Sequence, residues 1–471
     1  MTAFSAKAFP FPMHSICVWQ KGNILQEEYF GAFRRDDMHR MFSITKSFTS
    51  LAIGALISEG RLRLNDPIVK YFPEYTLKEP HPYLAQMTLY DMLTMRTCYP
   101  STTYKIDMKS HWVKSFFTAP ADHRPGQIFK YDTSSAHTMA ALVQKISGRT
   151  VLDYLREIFL DTIGFSKEAH ILLDPFGCEI GGSGLVCTTK DLLLVARLLL
   201  SLYNGTWEND YPDLAGCADS IYDRSFWKRY ADYIREAMSY HVSTLHEGKT
   251  LDERQGYGFQ FWLVRDGGVM MYGMGGQYIV LYPAQELIFV TTADTQMIGG
   301  GTQYILDEIR RVALSLGVTE GTAPALSKTL NVKESTCTNL PALLPQQAAA
   351  GTACINPALF GRWDLQPNRG GFTKLELNEK ELILKTEDFC FAFPYGSEHP
   401  EKTKDPKYQQ ALYTQAYPQA DGSLYLYTQI LDEYMGSIQF MLQHKDGKPT
   451  LYIRKIEETY YQEFNGFFEA V

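Results

Sequence analysis

A chain of 471 residues, 45% hydrophobic and 13% aromatic, is too long for one compact core and too apolar for disorder, so a folded protein of two domains is expected. Its net charge of -8 and its scattered basic residues, with Arg34-Arg35 cancelled at once by Asp36-Asp37, leave no case for a DNA or RNA surface. The eight cysteines, at 17, 98, 178, 187, 217, 337, 354 and 390, form no C-x-x-C pair and no zinc pattern, which fits reduced thiols in a cytoplasm. The first twelve residues lack the apolar stretch and small-residue cleavage site of a secretory signal. The longest apolar run, 192–202, is broken by Arg197, so neither export nor a membrane span is expected.

In chain order, residues 14–20 and 25–30 read as two strands around a Lys21-Gly22-Asn23 hairpin turn. Helices are expected over 43–58, 89–95, 134–146, 151–159, 192–203 and about 225–241. Thr88 and Thr188 are their clearest N-caps, and Asp191 is placed to reach back to Thr188. Strands follow over 258–264, 277–282 and 287–292, then a helix over 302–316 with Ile305, Ile309, Val312 and Leu316 on one face. Strands at both ends and helices between them predict an α+β domain, its antiparallel sheet carrying a helical subdomain and its active site at their junction. From Gly317 the pattern dissolves into Thr, Pro, Ala, Gln and Gly. Beyond it, aromatic and β-branched runs punctuated by Asn378-Glu379, Asp421-Gly422 and Asp446-Gly447 predict a small antiparallel β-barrel or sandwich. The expected division is therefore 1–318, a linker at 319–355, and 356–471.

Ser43-Ile44-Thr45-Lys46 opens the first helix and places a hydroxyl and an amine three positions apart, on one helical face. A serine alcohol needs a partner to take its proton as it attacks, and a desolvated lysine can do so. S-x-x-K alone is common, but here it is followed by Leu62-Arg63-Leu64-Asn65-Asp66-Pro67, Arg124-Pro125-Gly126, Phe129-Lys130-Tyr131, Gly181-Gly182-Ser183-Gly184-Leu185 and Gly275-Gly276-Gln277. In this order, over residues 12–316, the chain resembles the serine hydrolases related to class C β-lactamases and penicillin-recognising enzymes. The resemblance implies a β-lactamase/transpeptidase-like α+β fold, followed by a lipocalin-like C-terminal appendage, and an acyl-enzyme reaction without a cofactor. It makes Ser43 the nucleophile and Lys46 and Tyr131 the acid/base pair, with the backbone N–H groups of Ser43 and Gln277 as the oxyanion hole.

Two positions depart from the family pattern. Thr133 stands where an asparagine usually touches both the lysine and the substrate amide, and it offers one hydroxyl in place of a carboxamide; Ser134 or Ser135 is an alternative if the turn is shifted. Met274-Gly275-Gly276 stands where a Lys-Thr-Gly or His-Thr-Gly stretch usually edges the site, so the cation that would anchor a substrate carboxylate is missing. Met274 reads as a packing residue, and the glycines as room for a substrate backbone to approach a strand edge. His123 and His137 flank Tyr131 but read as structural histidines, Asp132 as a solvated or helix-capping residue, and Cys187 as a small buried side chain.

The expected function is hydrolysis of a neutral ester or amide, of carboxylesterase or amidase type; the Gly-Gly-Gln stretch is shared with hydrolases of short nylon-type amides. β-Lactamase or D-amino-acid peptidase activity is the alternative within the fold, and a non-catalytic binding protein the alternative outside enzymes. No H-x-x-E-H or H-x-H pattern suggests a metal, and the expected partner is a small-molecule substrate alone.

Overall fold

The computed structural model describes residues 3–6, 9, 11, 13–30, 33–75, 78–105, 109–215, 222–295, 300–322, 355–395, 403–419, 421–430, 437–456 and 460–471. The expected linker falls outside the described residues from 323 to 354, as do Cys217, Cys337 and Cys354.

β1 (Met13–Gln20) and β2 (Asn23–Tyr29) form the first hairpin, with Lys21 and Gly22 at φ +45° and +87°, the left-handed backbone that a two-residue hairpin loop needs. A small sheet follows from β3 (His39–Arg40), β4 (His170–Ile171) and β5 (Leu185–Cys187), with β5 in the middle. The main sheet is completed by β6 (Trp262–Val264), β7 (Gly268–Gly273), β8 (Gln277–Tyr282) and β9 (Leu287–Ala293), in the antiparallel order β2-β1-β9-β8-β7-β6. β1 pairs with β9, with Cys17 opposite Val290, so the two ends of this region share one sheet as expected.

Both faces of that sheet are buried, because alternate side chains serve different cores. Cys17, Trp19, Met271, Ile279 and Val290 face the core shared with the helices Ile44–Ser58 and Thr189–Asn204. Ile16, Val18, Met270, Val280 and Phe289 face the helix Gly301–Ser315 through Ile305, Ile309 and Val312. Helix, sheet and helices therefore form three layers. Thr88 with Asp91, and Thr188 with Asp191, each make a reciprocal capping box that satisfies the helix N-terminus and the cap's own N–H.

The strand expected over 258–264 is shortened to Trp262–Val264. Upstream of it, the first helix captures the chain: Ser47 and Ser50 donate their hydroxyls to the carbonyls of Gln260 and Phe259, both at 2.7 Å, and Gln260 adopts φ +66°. Backbone groups spent on helix side chains are lost to a ladder.

Residues 361–469 contribute two antiparallel sheets. The first contains β10 (Gly361–Asp364), β11 (Lys374–Leu377), β12 (Glu381–Lys385) and β13 (Cys390–Pro394). The second contains β14 (Thr403–Lys404), β15 (Ala411–Pro418), β16 (Leu424–Ile430), β17 (Ser437–Lys445), β18 (Lys448–Ile456) and β19 (Gly466–Glu469). Leu375, Leu384, Phe393, Leu426, Phe440 and Ile453 contribute to one core between them. The expected barrel is not closed. β10 has four residues and meets the end of β19 at a single bridge, Leu365–Ala470, flanked by the bonds Gln366 N–H to Glu469 C=O and Val471 N–H to Asp364 C=O, each 2.9 Å. No helix among the described residues is long and apolar enough to cross a membrane.

Candidate active site

Ser43 holds the N-cap position of the helix Ile44–Ser58, yet its hydroxyl makes no capping bond, so the oxygen is not consumed by the helix end it sits on. The preceding residue, Phe42, adopts φ +46°, a conformation that a bulky side chain avoids and that presents Ser43 at the tip of a tight turn. Met41 anchors that turn by donating its N–H to the Leu185 carbonyl at 2.8 Å, and Leu185 donates back to Thr45 Oγ1 at 2.9 Å.

One turn into the helix, the Lys46 amine lies 3.0 Å from Ser43 Oγ, 3.3 Å from Thr133 Oγ1 and 2.7 Å from the Gly182 carbonyl. Burial pulls its pKa down to about 7, the carboxylate of Asp132 opposing this and Lys105 adding to it. Near neutral pH a substantial share of the Lys46 side chains is then uncharged amine, able to accept a proton. The Tyr131 hydroxyl contacts Ser43, and its ring lies under the Lys46 amine at 4.9 Å and stacks on Trp262 at 5.5 Å. Burial holds the phenol well above its usual range, with the Ser43 contact opposing. Tyr131 therefore keeps its proton near neutrality, and Lys46 is the stronger candidate for the first proton acceptor.

The structure thus brings Ser43, Lys46, Tyr131 and Thr133 together. Thr133 keeps the contact to the lysine, and its own N–H is taken by Thr102 Oγ1 at 3.1 Å. Ser134 and Ser135 are buried and turned to Asp132, whose carboxylate caps the helix Thr133–Ser147 by accepting both their N–H groups at 2.9 Å. Neither serine takes over from Thr133. Asp132 is thus a buried cap and not a solvated group. His137 is buried against Asp174 at 3.0 Å, and His123 is buried beside Phe467, so both are structural, and Cys187 is buried in the core.

Met274, Gly275 and Gly276 differ from expectation. They form the turn of the β7–β8 hairpin, with both glycines at positive φ (+92° and +96°), and Met274 is 47% exposed instead of packed. The strand bordering the site is β7, unrecognised in the sequence, and its last residue makes the close approach: a Cβ on Gly273 would lie 2.1 Å from the Met41 carbonyl oxygen. Gln277 pairs with Gly273 across the hairpin, and its carboxamide bonds the carbonyls of Met274 and Ala293 at 3.0 and 2.8 Å and accepts the Ala293 N–H at 3.1 Å. That side chain fastens the turn to β9.

The role of Gly182 was also missed, although its glycine pair stands out in the sequence. A Cβ there would lie 2.4 Å from Thr133 Cγ2, so only glycine lets this carbonyl reach the lysine. Gly273→Ala pits a methyl against backbone and is expected to lower kcat/KM by about a hundredfold or more. Steady-state kinetics beside a thermal melt check this, and a variant retaining half its activity would contradict the close approach.

Residues 11–199 match the family described as Beta-lactamase. The fold of this stretch is β-lactamase-like. The chain is 24% identical over 292 residues to the 6-aminohexanoate-dimer hydrolase of Paenarthrobacter ureafaciens, covering 58% of this chain and 70% of that protein. It is 26% identical over 175 residues to Protein flp of Staphylococcus aureus (strain MW2), covering 33% of this chain and 34% of the relative, so it spans about a third of that protein's length. Among solved structures, SurE with D-Leu superposes over 98% of this chain and 95% of its own at 14% identity and a TM-score of 0.51, a likeness of fold alone. Among the described residues, no group of three or more His, Cys, Asp or Glu could hold a metal ion.

Proposed function

We propose that this chain is a serine hydrolase acting through an acyl-enzyme on a neutral ester or amide. The observation that carries the reading is the Lys46 amine, buried and 3.0 Å from Ser43 Oγ, with the Tyr131 ring 4.9 Å beneath that amine. Ser43 Oγ attacks the carbonyl carbon as its proton passes to Lys46. The tetrahedral oxyanion is held by the Ser43 N–H and a second backbone N–H of the Gly273–Gln277 turn, Gln277 being the donor that the family resemblance suggests. Tyr131 protonates the departing alcohol or amine and recovers a proton from Lys46. Water then attacks the acyl group and gives a proton to the same pair, which passes it to Ser43 Oγ as the acyl–oxygen bond breaks, releasing the acid and restoring the serine.

An exposed thioether at Met274, where a cation would anchor a carboxylate, supports a neutral substrate. The likeness to a 6-aminohexanoate-dimer hydrolase supports the amide side of the reading. Buried free thiols at Cys17, Cys98, Cys178 and Cys187 agree with a reducing, cytoplasmic setting.

The test is a panel of p-nitrophenyl acetate and butyrate, butyryl p-nitroanilide, nitrocefin and D-alanine p-nitroanilide. Ester or butyryl-anilide turnover without nitrocefin cleavage is the expected result. Rapid nitrocefin cleavage, or no turnover of any substrate, would overturn the neutral-substrate reading.

A further inference from the structure

Tyr131 ends a segment, residues 123–131, that is tied from outside the family-matched stretch. His123 stacks on Phe467 of β19 with ring centroids 3.3 Å apart, and Arg124 donates its backbone N–H to Glu469 at 2.6 Å and its Nη2 to the Ala470 carbonyl at 2.8 Å. Ile128 packs into a cluster with Tyr425, Met441, Tyr452 and Phe467, the outer face of the six-stranded C-terminal sheet.

The two residues before the phenol are each held in turn. Lys130 Nζ bonds both carboxylate oxygens of Glu247, at 3.1 and 3.0 Å, and the Tyr452 hydroxyl of β18 at 3.3 Å. The Phe129 carbonyl accepts from His246 Nε2 at 2.8 Å, and Arg454 of β18 donates to the His246 carbonyl at 3.4 Å. Stacking on Trp262 restrains the Tyr131 ring along its normal but leaves in-plane sliding to the backbone. Proton relay tolerates errors of only about half an ångström. The in-plane position of the phenol is therefore set through Phe129 and Lys130.

We infer that Lys130, held between Glu247 and Tyr452, is a positioning residue through which the C-terminal sheet fixes the Tyr131 phenol against Ser43 and Lys46. The inference rests on the acyl-enzyme reading in taking Tyr131 as part of the relay.

The test uses the full chain with Tyr131→Phe, Lys130→Met, Lys130→Arg, Tyr452→Phe and the double variant Tyr131→Phe/Lys130→Met. The readouts are kcat and KM on the best substrate, the rate of Ser43 labelling by a fluorophosphonate, and a thermal melt. Lys130→Met is expected to lower kcat and labelling about tenfold with KM little changed, Lys130→Arg to recover most of the loss, and Tyr452→Phe to lower kcat about threefold. The double variant is expected to be no slower than Tyr131→Phe alone, because Lys130 acts only through the phenol. If Tyr131→Phe is slow while Lys130→Met and Tyr452→Phe keep full kcat, or if the losses multiply in the double variant, the positioning role is overturned and the relay stands. A Tyr131→Phe variant with unchanged kcat would overturn the relay itself. Should Lys130→Met fail to fold, Tyr452→Phe decides the question alone, since it removes one hydroxyl and keeps the ring.

Discussion

Replacing Ser43 by alanine is expected to lower turnover more than about a thousandfold while leaving the melting temperature within about two degrees of the parent. The activity loss follows from chemistry: Ser43 Oγ lies 3.0 Å from the buried Lys46 amine that would take its proton, whereas Thr133 Oγ1 lies 3.3 Å from it. The small stability change follows from packing. Ser43 is half-buried, caps nothing, and leaves Lys46 with the Gly182 carbonyl and Thr133 when its oxygen is removed. Parallel assays of both proteins on the same substrate, with a melt of each, read both quantities. Retention of a tenth of the activity would mean that the nucleophile lies elsewhere.

Lys46→Met is expected to remove activity as completely and, in addition, to change how stability depends on pH. Burial lowers the lysine from its ordinary 10.5 to about 7 in the folded chain. Between those values the unfolded chain binds a proton that the folded chain does not, so this residue makes stability rise as pH rises from about 7 to about 10.5, and makes no slope below that window. Methionine has no such proton. The stability of Lys46→Met relative to the parent should therefore fall steadily from about pH 7 to about pH 9.5, which chemical denaturation of the two proteins across that range measures. The same deprotonation switches on the base, so kcat/KM of the parent should rise with pH through about 7. Parallel stability curves, or a flat rate profile from about pH 5.5 to about pH 8.5, would show Lys46 to be permanently charged or permanently neutral.

Much of this arrangement is local and therefore legible in the sequence. The Lys21-Gly22 hairpin, the capping boxes at Thr88 and Thr188, and the Ser43–Lys46 spacing depend on neighbours a few residues apart. The helix Gly301–Ser315 announces itself by the stripe of Ile305, Ile309 and Val312. What escaped reading depends on distant parts of the chain. β7 is buried on both faces, so Gly268-Val269-Met270-Met271-Tyr272-Gly273 lacks the polar alternation of a half-exposed strand, and its glycine ends read as turns. Gln260 is drawn out of its strand by the hydroxyl of Ser47, on a helix 213 positions earlier in the chain. Whether the C-terminal strands close depends on where β10 meets β19, a pairing between the two ends of that region that no local pattern encodes. Gly182 was visible as part of a glycine pair, but its carbonyl acquires meaning only once Lys46 is placed beside it.

The most direct test of the central claim is the mass of the intact protein after brief reaction with a fluorophosphonate, followed by peptide mapping, in the parent and in Ser43→Ala. A single adduct on the peptide carrying Ser43, formed faster as the pH rises through about 7 and absent from the alanine variant, is the predicted result. An unmodified parent, or an adduct that persists in Ser43→Ala, would contradict Ser43 as the activated nucleophile.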